Sequence, residues 1–360
     1  MKPVLHVITT ICRGGAENQL ITLIKEQTNS GRKVSLIYLK GEPELLRLLN
    51  QMGVEVHSEY AGLSPLAQVF KIRRFLRDKE LLLHGHLPRA ELICSLAKGN
   101  NPLFVTRHNA EKFFPSAPKL ISSMLSRFVV RKSRTVIAIS QSVSKFLVEQ
   151  KELPPNVGSE VVYYGFSSHN EVINTEKLRE SLGIPVGAKL VGTVARLTLQ
   201  KDIPTLLRAY SQINLDCDLR LLIVGDGPLR DELKILADEL GIQGQVIWAG
   251  RTADVFAHLC LMNVFVLTST YEGFGLVLLE ALEAGLPIVA SNTSAIPEVL
   301  GQEYPGLVTQ KNYLEFASKI SEFLELSDEK MTDLQKIGSN RVAYFSADKM
   351  RQKIDEIYGG

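Results

Sequence analysis

The sequence predicts an α/β protein made of two doubly wound parallel-sheet domains. Short apolar runs rich in β-formers alternate with helix-period segments along both halves of the chain, which implies parallel sheets covered on both faces. With 360 residues, the chain is long enough for two domains of ordinary size. No apolar run approaches the roughly 20 residues that a membrane-spanning helix needs.

The predicted elements follow one another in regular order. In the first half, strands are expected at residues 4–8, 34–39, 54–57, 81–84, 104–106 and 136–139, with a helix at 17–28 between the first two. In the second half, strands are expected at residues 190–194, 221–224, 246–248, 264–267 and 288–290. Ligands in such folds bind outside the carboxyl ends of the strands, so residues that follow a strand are the site candidates.

Composition and charge limit the class of protein. The cysteines, Cys12, Cys94, Cys217 and Cys260, are scattered without a Cys-x-x-Cys pair, which argues against a disulfide framework or zinc site and favours a reducing cytoplasm. The N-terminal segment is expected to be a core strand and no signal peptide, so the protein would be cytoplasmic, or peripheral at the inner face of the cell membrane. Residues 1–165 carry 23 Lys and Arg against 13 Asp and Glu, and the remainder carries 18 against 26. The basic half is expected to face something anionic.

The most informative stretch, residues 271–280, reads Tyr-Glu-Gly-Phe-Gly-Leu-Val-Leu-Leu-Glu. Gly273 and Gly275 follow a predicted strand, so a turn is expected whose bare N–H groups begin a helix and attract an anion. Glu272 would lie in the turn and Glu280 in the helix, each able to accept hydrogen bonds from the paired hydroxyls of a sugar or ribose. Two simpler interpretations stay open: Gly-x-Gly turns are common in α/β proteins, and Glu280 could be a solvated helix residue.

Other stretches offer groups that could hold phosphate. Arg196 and Lys201 follow a predicted strand five residues apart and together could neutralise a diphosphate, although such residues are more often solvated surface. Gly14 and Gly15 open the first helix, where a bare backbone can approach a phosphate or sugar closely.

Two common nucleotide motifs are absent from the sequence. The turn after the first strand lacks Gly-x-Gly-x-x-Gly spacing, and the turn containing Gly227 lacks it too, since Arg230 stands at the third glycine. The turn containing Gly227 could lie beneath the same site, although a tight strand-to-helix connection is the more usual interpretation. No Gly-x-x-x-x-Gly-Lys-Ser/Thr loop occurs. An Asp-x-Asp triplet, Asp216 to Asp218, precedes a predicted strand and so lies at the wrong end for a metal site.

Taken in order, these segments resemble the retaining glycosyltransferases of family 4, which have the two-domain GT-B fold. The resemblance runs nearly end to end. It rests on Gly14-Gly-Ala-Glu17, Leu83-His-Gly-His86, Val105-Thr-Arg-His108, Val136-Ile-Ala-Ile-Ser140, Val194-Ala-Arg-Leu with Lys201, Val224-Gly-Asp-Gly-Pro228, Glu272 to Glu280 and Ile296-Pro-Glu-Val299. Each segment alone is a weak signal, and their order and spacing together are a strong one.

The resemblance implies a role for each donor-site candidate. Arg196 and Lys201 would grip the donor diphosphate, and Glu280 would bind the ribose hydroxyls. Backbone near Arg251 would recognise the base. Glu272 would hold the transferred sugar together with the backbone of Gly273, Phe274 and Gly275. The sequence departs from the family pattern at Ser294 and Ala295, where two glycines often stand, and at Asn263, where an aspartate is frequent.

For the other domain, the resemblance implies that Gly14 and Gly15 close on the donor and that the acceptor is received there. His108 matches the histidine beside the reacting carbon. The anomeric configuration would be retained by front-side attack, with the leaving phosphate taking the acceptor's proton. No metal or cofactor is expected, because Arg196, Lys201 and helix N-termini would stabilise the departing charge.

The histidines have structural alternatives. His6 and His84 lie within predicted strands, and the default expectation is that they are buried and hydrogen-bonded. His86 and His108 end neighbouring strands on the expected cleft side and are candidates for a role, with helix capping or interface packing as alternatives.

Residues 119–134, from Lys119 to Arg134, form a predicted basic amphipathic helix. Ile121, Met124, Leu125, Phe128 and Val129 share one stripe, and Arg127, Arg131 and Arg134 share another. This pattern suggests docking on an anionic membrane surface, as a lipid-linked acceptor would require. The alternative is an ordinary surface helix whose apolar stripe faces the core.

The predicted domains are an N-terminal Rossmann-like acceptor domain at residues 1–166 and a C-terminal Rossmann-like donor domain at 167–344. A last helix at about 345–360 would cross back onto the first. Hinges at 165–168, within a loop-like stretch at 165–170, and near 345 would let the domains close over the donor.

The predicted function is transfer of a hexose or N-acetylhexosamine from a nucleotide sugar to a glycan or lipid-linked acceptor of a cell-surface polysaccharide, lipopolysaccharide or glycolipid. UDP-sugar is favoured as donor over GDP-mannose, and no nucleic-acid partner is expected. One alternative is an inactive sugar-nucleotide-binding partner. Another is a GT-B-type nucleotide-sugar epimerase, although that class lacks the spacing from Glu272 to Glu280.

Overall fold

A computed structural model describes residues 1–154, 158–169 and 173–359. The chain forms two compact units, one made of Met1–Ser167 and Phe345–Gly360 and the other of Ser168–Tyr344. The predicted domain limit after residue 166 lies one residue before this division. Asn170, the last residue of the loop-like stretch, and Gly360, the last residue of the closing segment, lie outside the described residues.

The described part of the N-terminal unit contains one parallel sheet. Its strands are β1 (Val4–Ile8), β2 (Val34–Tyr38), β3 (Glu55–His57), β4 (Leu82–His86), β5 (Leu103–Arg107), β6 (Thr135–Ala138) and β7 (Glu160–Val161). They pair in the order β3-β2-β1-β4-β5-β6-β7. Every residue of β1, β4 and β5 is buried, as expected of strands covered on both faces. The carboxyl ends of these three strands therefore meet at one edge of the sheet.

Helices connect these strands: α1 (Gly15–Asn29), α2 (Leu46–Gln51), α3 (Pro65–Leu76), α4 (Pro88–Ala97), α5 (Lys119–Lys132) and α6 (Gln141–Glu149). The sequence prediction ended the fourth strand at residue 84, two residues early. Because β4 extends to His86, both His84 and His86 belong to the strand.

The C-terminal unit repeats this architecture. Its strands are β8 (Lys189–Val194), β9 (Leu219–Val224), β10 (Val246–Gly250), β11 (Val264–Leu267), β12 (Ile288–Ser291) and β13 (Leu307–Val308), which pair in parallel as β10-β9-β8-β11-β12-β13. Its helices are α7 (Glu176–Ser181), α8 (Ile203–Ser211), α9 (Arg230–Glu239), α10 (Val255–Leu259), α11 (Leu276–Glu283), α12 (Ile296–Leu300), α13 (Tyr313–Leu324) and α14 (Asp328–Tyr344). The prediction of two parallel-sheet domains is confirmed.

The last helix, α15 (Ala347–Tyr358), belongs to the N-terminal unit and packs against α1. Its Asp355 Oδ1 lies 2.9 Å from the Arg32 NH2 group, and this ion pair is buried. A Cβ on Gly165 would lie only 2.6 Å from the Ala347 Cα atom, so the close approach of α15 requires a glycine there. The two segments that join the units pair side by side, as the Phe166 N–H donates to the Phe345 carbonyl at 2.6 Å.

The alternative expectation for α5, that its apolar stripe faces the core, is wrong in part. Ile121 and Met124 are 51% and 62% exposed, whereas Ser122 and Ser126 are buried. The serines are buried because their hydroxyls accept hydrogen bonds from interior groups, Ser122 from the Phe114 N–H at 3.0 Å and Ser126 from the Arg107 guanidinium at 2.9 Å. A hydrophobic pattern cannot show that a serine has an interior donor to satisfy.

Among the described residues, no helix has the length and apolar character needed to cross a membrane.

Candidate active site

The loops that follow β8 and β11 are tied together at the carboxyl edge of the C-terminal sheet. The Thr270 N–H and hydroxyl both donate to the Gln200 carbonyl, at 2.7 and 3.0 Å. The Thr268 hydroxyl donates to the Lys201 carbonyl at 2.9 Å, and the Gln200 side chain donates to the Tyr271 carbonyl at 2.9 Å. Because β8 and β11 are neighbours, these bonds hold two loops 70 residues apart in sequence as one surface.

This surface brings Lys201 to Glu272. The Lys201 Nζ atom lies 2.5 Å from the Glu272 Oε1 atom, and the Ser269 hydroxyl donates to the same oxygen at 2.6 Å. Their side chains are 18% and 7% exposed, respectively, so the pair is partly shielded from water. Glu272 Oε2 has no hydrogen-bond partner among the described residues and can accept hydrogen bonds from a ligand hydroxyl.

The turn from β11 to α11 depends on a glycine. Gly275 is the residue before the helix and has φ +90°, a left-handed backbone that a Cβ would strain. Phe274 is buried, so its side chain anchors the turn, whereas Gly273 beside it is partly exposed. A helix start leaves its first N–H groups without intrahelical acceptors, and of those in α11 the Leu278 N–H donates to the Gly275 carbonyl at 2.9 Å. An anion site at this helix start stays a prediction.

Ser294 supports this turn from the loop after β12. Its hydroxyl accepts a hydrogen bond from the Glu272 N–H at 2.7 Å, and its own φ is +47°. Sequence reasoning noticed Ser294 only as a departure from a glycine pattern. The contact could not be found in the sequence, because the hydroxyl and the amide are 22 residues apart.

The other donor-site candidates lie around this centre with different surroundings. Arg196 is exposed and forms no ion pair with the described residues. Gly227 lies against the preceding loop, where a Cβ would be 2.4 Å from the Leu197 carbonyl oxygen, so packing alone requires this glycine. Arg251 is exposed just beyond β10, and β9 separates β10 from β8, so the fold does not bring Arg251 beside Lys201.

Glu280 is half-buried on α11, and burial raises the pKa of its carboxyl group. His169 opposes that rise and Glu283 adds to it. Glu283 is itself held by His169, whose backbone N–H and ring Nδ1 approach its two oxygens at 2.8 and 2.6 Å. Glu280 is thus more than a solvated helix residue.

The Asp-x-Asp triplet lies exposed at the amino end of β9, as predicted. Asp218 Oδ1 accepts a hydrogen bond from the Arg220 guanidinium at 2.7 Å. The triplet is a surface turn, opposite the edge that carries Lys201 and Glu272.

In the N-terminal unit, the two glycines before and at the start of α1 differ in surroundings. A Cβ on Gly14 would lie 2.5 Å from Glu17 Oε2, whereas a Cβ on Gly15 would meet no heavy atom within 4 Å. Glu17 is held by the Thr10 hydroxyl, which donates to Oε1 at 2.6 Å. Gly14 therefore makes room for Glu17, and exposed Gly15 is the one that a ligand can approach.

Four histidines lie buried along the N-terminal sheet, and hydrogen bonds join three of them, His6, His86 and His108, into a network. His6 Nε2 lies 2.9 Å from Gln27 Oε1, and His6 Nδ1 lies 2.9 Å from His86 Nε2. His86 Nδ1 lies 3.1 Å from His108 Nε2, and His108 Nδ1 lies 2.6 Å from the Tyr164 hydroxyl. His84 lies beside this network and has its own partners: its Nδ1 lies 2.6 Å from the Tyr358 hydroxyl and its Nε2 lies 2.8 Å from the Thr106 hydroxyl.

Burial keeps these rings neutral. It lowers the pKa of His6 to about 4 and that of His108 to about 3, and it holds the pKa values of His84 and His86 well below their ordinary range. Nitrogens of His6, His84 and His86 lie within 4.8 Å of one another, close enough to hold a metal ion. Every ring nitrogen of these three residues is nevertheless engaged by a protein group, so the network explains the cluster without a metal.

The default expectation for His6 and His84 is confirmed, since both are buried and hydrogen-bonded. His86 and His108 share the same condition. Both nitrogens of His108 bond to protein groups, so a substrate must replace one of these partners to reach its ring nitrogens. A role for His108 in transfer stays a prediction.

Residues 13–166 match glycosyltransferase family 4, and residues 174–341 match the glycosyl transferases of group 1. The chain belongs to the family 4 glycosyltransferases. This family 4 glycosyltransferase is 30% identical over 263 residues to N-acetyl-alpha-D-glucosaminyl L-malate synthase of Bacillus anthracis, a match that covers 70% of the chain and 66% of the relative. It is 27% identical over 191 residues to alpha-monoglucosyldiacylglycerol synthase of Streptococcus pneumoniae, covering 52% of the chain and 39% of the relative.

Among solved structures, the family 4 glycosyltransferase is similar to HepE of Anabaena, crystallised in complex with UDP. The two share 23% sequence identity and a TM-score of 0.82, and the match covers 99% of each chain. A second HepE crystal contains UDP-glucose. This likeness shows a shared fold, and the chain has the parallel-sheet units of the GT-B class.

Proposed function

We propose that this protein transfers a hexose or N-acetylhexosamine from a UDP-sugar to a glycan or lipid-linked acceptor of a cell-surface polysaccharide, lipopolysaccharide or glycolipid. The observation that carries the proposal is the pair formed by Lys201, in the loop after β8, and Glu272, in the turn between β11 and α11, where Ser269 and Ser294 hold Glu272. UDP and UDP-glucose bound to HepE support the choice of donor. The pneumococcal relative, named for a glycosylated diacylglycerol, supports a lipid acceptor.

Each side chain has a task that follows from its chemistry. Glu272 Oε2 accepts hydrogen bonds from hydroxyls of the transferred sugar, and Glu280 does the same for the ribose. When the donor enters, its diphosphate draws Lys201 toward itself, and Arg196 adds a second cation that no described residue pairs with. Together with the first N–H groups of α11, these cations stabilise the charge on the departing diphosphate, so no metal is needed.

The anomeric configuration is retained in this proposal. The acceptor hydroxyl attacks the face from which the diphosphate departs, and a leaving phosphate oxygen takes the hydroxyl proton. One bond forms between the acceptor oxygen and the anomeric carbon as the bond from that carbon to the phosphate oxygen breaks. The N-terminal unit receives the acceptor, and α5 docks on anionic lipid through the segment from Lys119 to Arg134.

Two linked measurements test the donor site. In a thermal-shift panel of UDP, GDP, ADP and their sugars, UDP ligands should raise the melting temperature, since a ligand at 100 times its Kd stabilises the folded state by about 2.7 kcal/mol. Lys201→Ala and Glu272→Ala should each lower transfer by about 10²- to 10³-fold, as loss of a preorganised charged group does. The control is Lys319→Ala, which removes an ion pair on α13 of the same unit and should leave transfer unchanged.

The other results would lead elsewhere. A shift with nucleotides but no transfer supports an inactive sugar-nucleotide-binding partner, and no shift with any nucleotide contradicts the donor site. A shift with GDP ligands alone replaces the donor. Donor conversion without an acceptor supports an epimerase. Near-normal transfer by both variants removes this site. The anomeric signal of the product by NMR tests retention, and transfer in excess EDTA tests the absence of a metal requirement.

A further inference from the structure

The histidine network has one consistent direction once its buried end is fixed. Gln27 is fully buried, and its Oε1 atom, which can only accept, faces His6 Nε2. With the Gln27 amide in this orientation, His6 Nε2 carries a proton. A neutral imidazole has one donor and one acceptor, so His6 Nδ1 accepts from His86 Nε2.

The same rule passes along the remaining bonds. His86 donates through Nε2, so its Nδ1 accepts from His108 Nε2. His108 Nδ1 is then an acceptor as well, and it accepts a hydrogen bond from the Tyr164 hydroxyl at 2.6 Å. Each bond in the chain has a donor at one end and an acceptor at the other.

We propose that Gln27, acting through His6 and His86, is a positioning residue that fixes His108 in the Nε2–H tautomer and so makes its Nδ1 a hydrogen-bond acceptor for a substrate hydroxyl. The relevance to transfer rests on the proposed function. The tautomer itself does not, because it follows from the hydrogen bonds and the orientation of the Gln27 amide.

The open end of the network lies beside the turn that contains the two glycines. Tyr164 is close enough to Glu17 for that carboxylate to contribute to the raised pKa of its hydroxyl, and Glu17 lies against Gly14. A hydroxyl of the sugar or acceptor that enters there can replace the Tyr164 hydroxyl as the donor to His108 Nδ1. The His108 Nε2–H is held by His86, so His108 orients a hydroxyl and does not donate a proton.

Reversal of the network is the physical alternative. If the Gln27 amide were turned by 180°, its NH₂ group would face His6, and every tautomer along the chain would invert. His108 would then present Nε2 as acceptor to His86 and donate through Nδ1. One amide group thus decides what His108 offers to a ligand.

The first test uses the unmodified chain labelled with 15N-histidine. Long-range 1H–15N correlation spectra distinguish protonated from unprotonated ring nitrogens, and only seven histidines contribute. We expect His6, His86 and His108 to show protonated Nε2 and unprotonated Nδ1. A protonated Nδ1 on His108 would overturn the proposal, and so would a shared proton population on its two nitrogens. Added zinc should leave these signals unchanged, and a zinc-dependent shift would support a metal cluster instead.

The second test removes the acceptor at the buried end. In Gln27→Leu, His6 Nε2 loses its partner, so His108 should populate both tautomers. Gln68→Leu is the matched control, because Gln68 on α3 is also fully buried in the N-terminal unit, and its amide donates to the Leu39 and Tyr60 carbonyls, outside the network. If both variants lose thermal stability and only Gln27→Leu changes the His108 signals, the effect is specific. Unchanged His108 signals in folded Gln27→Leu would contradict the proposal.

Activity supplies a separate arm. Gln27→Leu should lower kcat roughly tenfold, the cost of one hydrogen bond of ordinary strength, and leave the affinity for UDP unchanged. Gln68→Leu, assayed at the same interval below its melting temperature, should keep the wild-type kcat. A wild-type protein without transferase activity would refute the proposed function and leave the NMR result standing, so the two failures are distinguishable.

Discussion

The hydrogen bond of the Ser294 side chain offsets the strain in the Ser294 backbone. A non-glycine residue at φ +47° costs about 1 kcal/mol or more, and glycine would adopt that conformation without strain. The hydroxyl returns about 1 kcal/mol by accepting the Glu272 N–H. It also fixes the residue whose carboxylate is proposed to hold the sugar, which a glycine could not do.

Substitution of Ser294 separates these two effects. Ser294→Ala keeps the strain and loses the hydrogen bond, so the free energy of unfolding should fall by about 1 kcal/mol. Ser294→Gly loses the bond and relieves the strain, so stability should stay near that of the wild type. Both variants should weaken donor use alike, measured as kcat/KM for the donor.

A serine in the same stretch provides the control. The Ser291 hydroxyl is buried and has no hydrogen-bond partner among the described residues, so Ser291→Ala should not lower the free energy of unfolding and should leave donor use unchanged. Equal stability of the Ala and Gly variants at Ser294 would show that the backbone there is unstrained.

Helix α5 has exposed apolar residues at its amino end and cations at its carboxyl end. Leu120, Ile121 and Met124 are 73%, 51% and 62% exposed, and Arg131 and Lys132 lie in the last turn. Exposed apolar side chains flanked by cations can insert into the headgroup region while the cations meet anionic lipid. The buried serines of α5 keep the opposite face in the protein.

Vesicle flotation tests this face. The protein should bind vesicles containing phosphatidylglycerol at low salt, bind them less at high salt, and ignore phosphatidylcholine vesicles. The double variant L120E/M124E should lose binding, since carboxylates replace the inserting groups.

The control is Val148→Glu on α6, which changes an equally exposed apolar residue of the same unit. If L120E/M124E binds vesicles as strongly as the wild type does, the lipid contact lies elsewhere. If the wild type binds no vesicles under any condition, the membrane is removed from the proposal.

At the scale of the whole N-terminal unit, the neutral histidines make stability depend on pH. Folding lowers the pKa of His6 from 6.5 to about 4. Between these two pH values, the His6 side chain is protonated in the unfolded chain and neutral in the folded chain. Stability therefore falls as the pH drops through this window, by roughly 3 kcal/mol for His6 alone at full protonation of the unfolded state. His84, His86 and His108 act in the same direction. Buried Glu91, whose pKa burial raises to about 7, acts in the opposite direction and is outnumbered.

Hydrogen exchange can locate this effect. Between pH 7 and pH 5, and after correction for intrinsic rates, peptides from β1 and β4 should lose protection, whereas peptides from β8 and β9 serve as internal references. His84→Gln should reduce the pH dependence in the N-terminal unit. The control His57→Gln changes a histidine of β3 outside the network. Equal protection of β1 at both pH values would contradict the assignment of neutral histidines.

Much of the architecture could be predicted because its signals are local. Buried strands of four or more residues leave apolar runs, and every one of them was found. Strands β7 and β13 were missed because two residues carry no periodic pattern.

The site was harder, since its decisive contacts are long-range. The sequence indicated Lys201 and Glu272 separately, whereas their contact spans 71 residues and depends on β8 lying beside β11. The bond between His6 and His86 spans 80 residues and arises from the pairing of β1 with β4. Neither the left-handed backbone of Ser294 nor the orientation of Gln27 leaves any trace in residue order.

Because α15 belongs to the N-terminal unit, that unit cannot be completed until α15 has been synthesised. Arg32 is synthesised early, between α1 and β2, and its buried guanidinium pairs with the Asp355 carboxylate near the end of the chain. All of the C-terminal unit is translated between these two residues. A nascent chain that has reached residue 345 thus carries every residue of the C-terminal unit beside an N-terminal sheet that still lacks one of its covering helices. The half that is synthesised first is the half that is completed last.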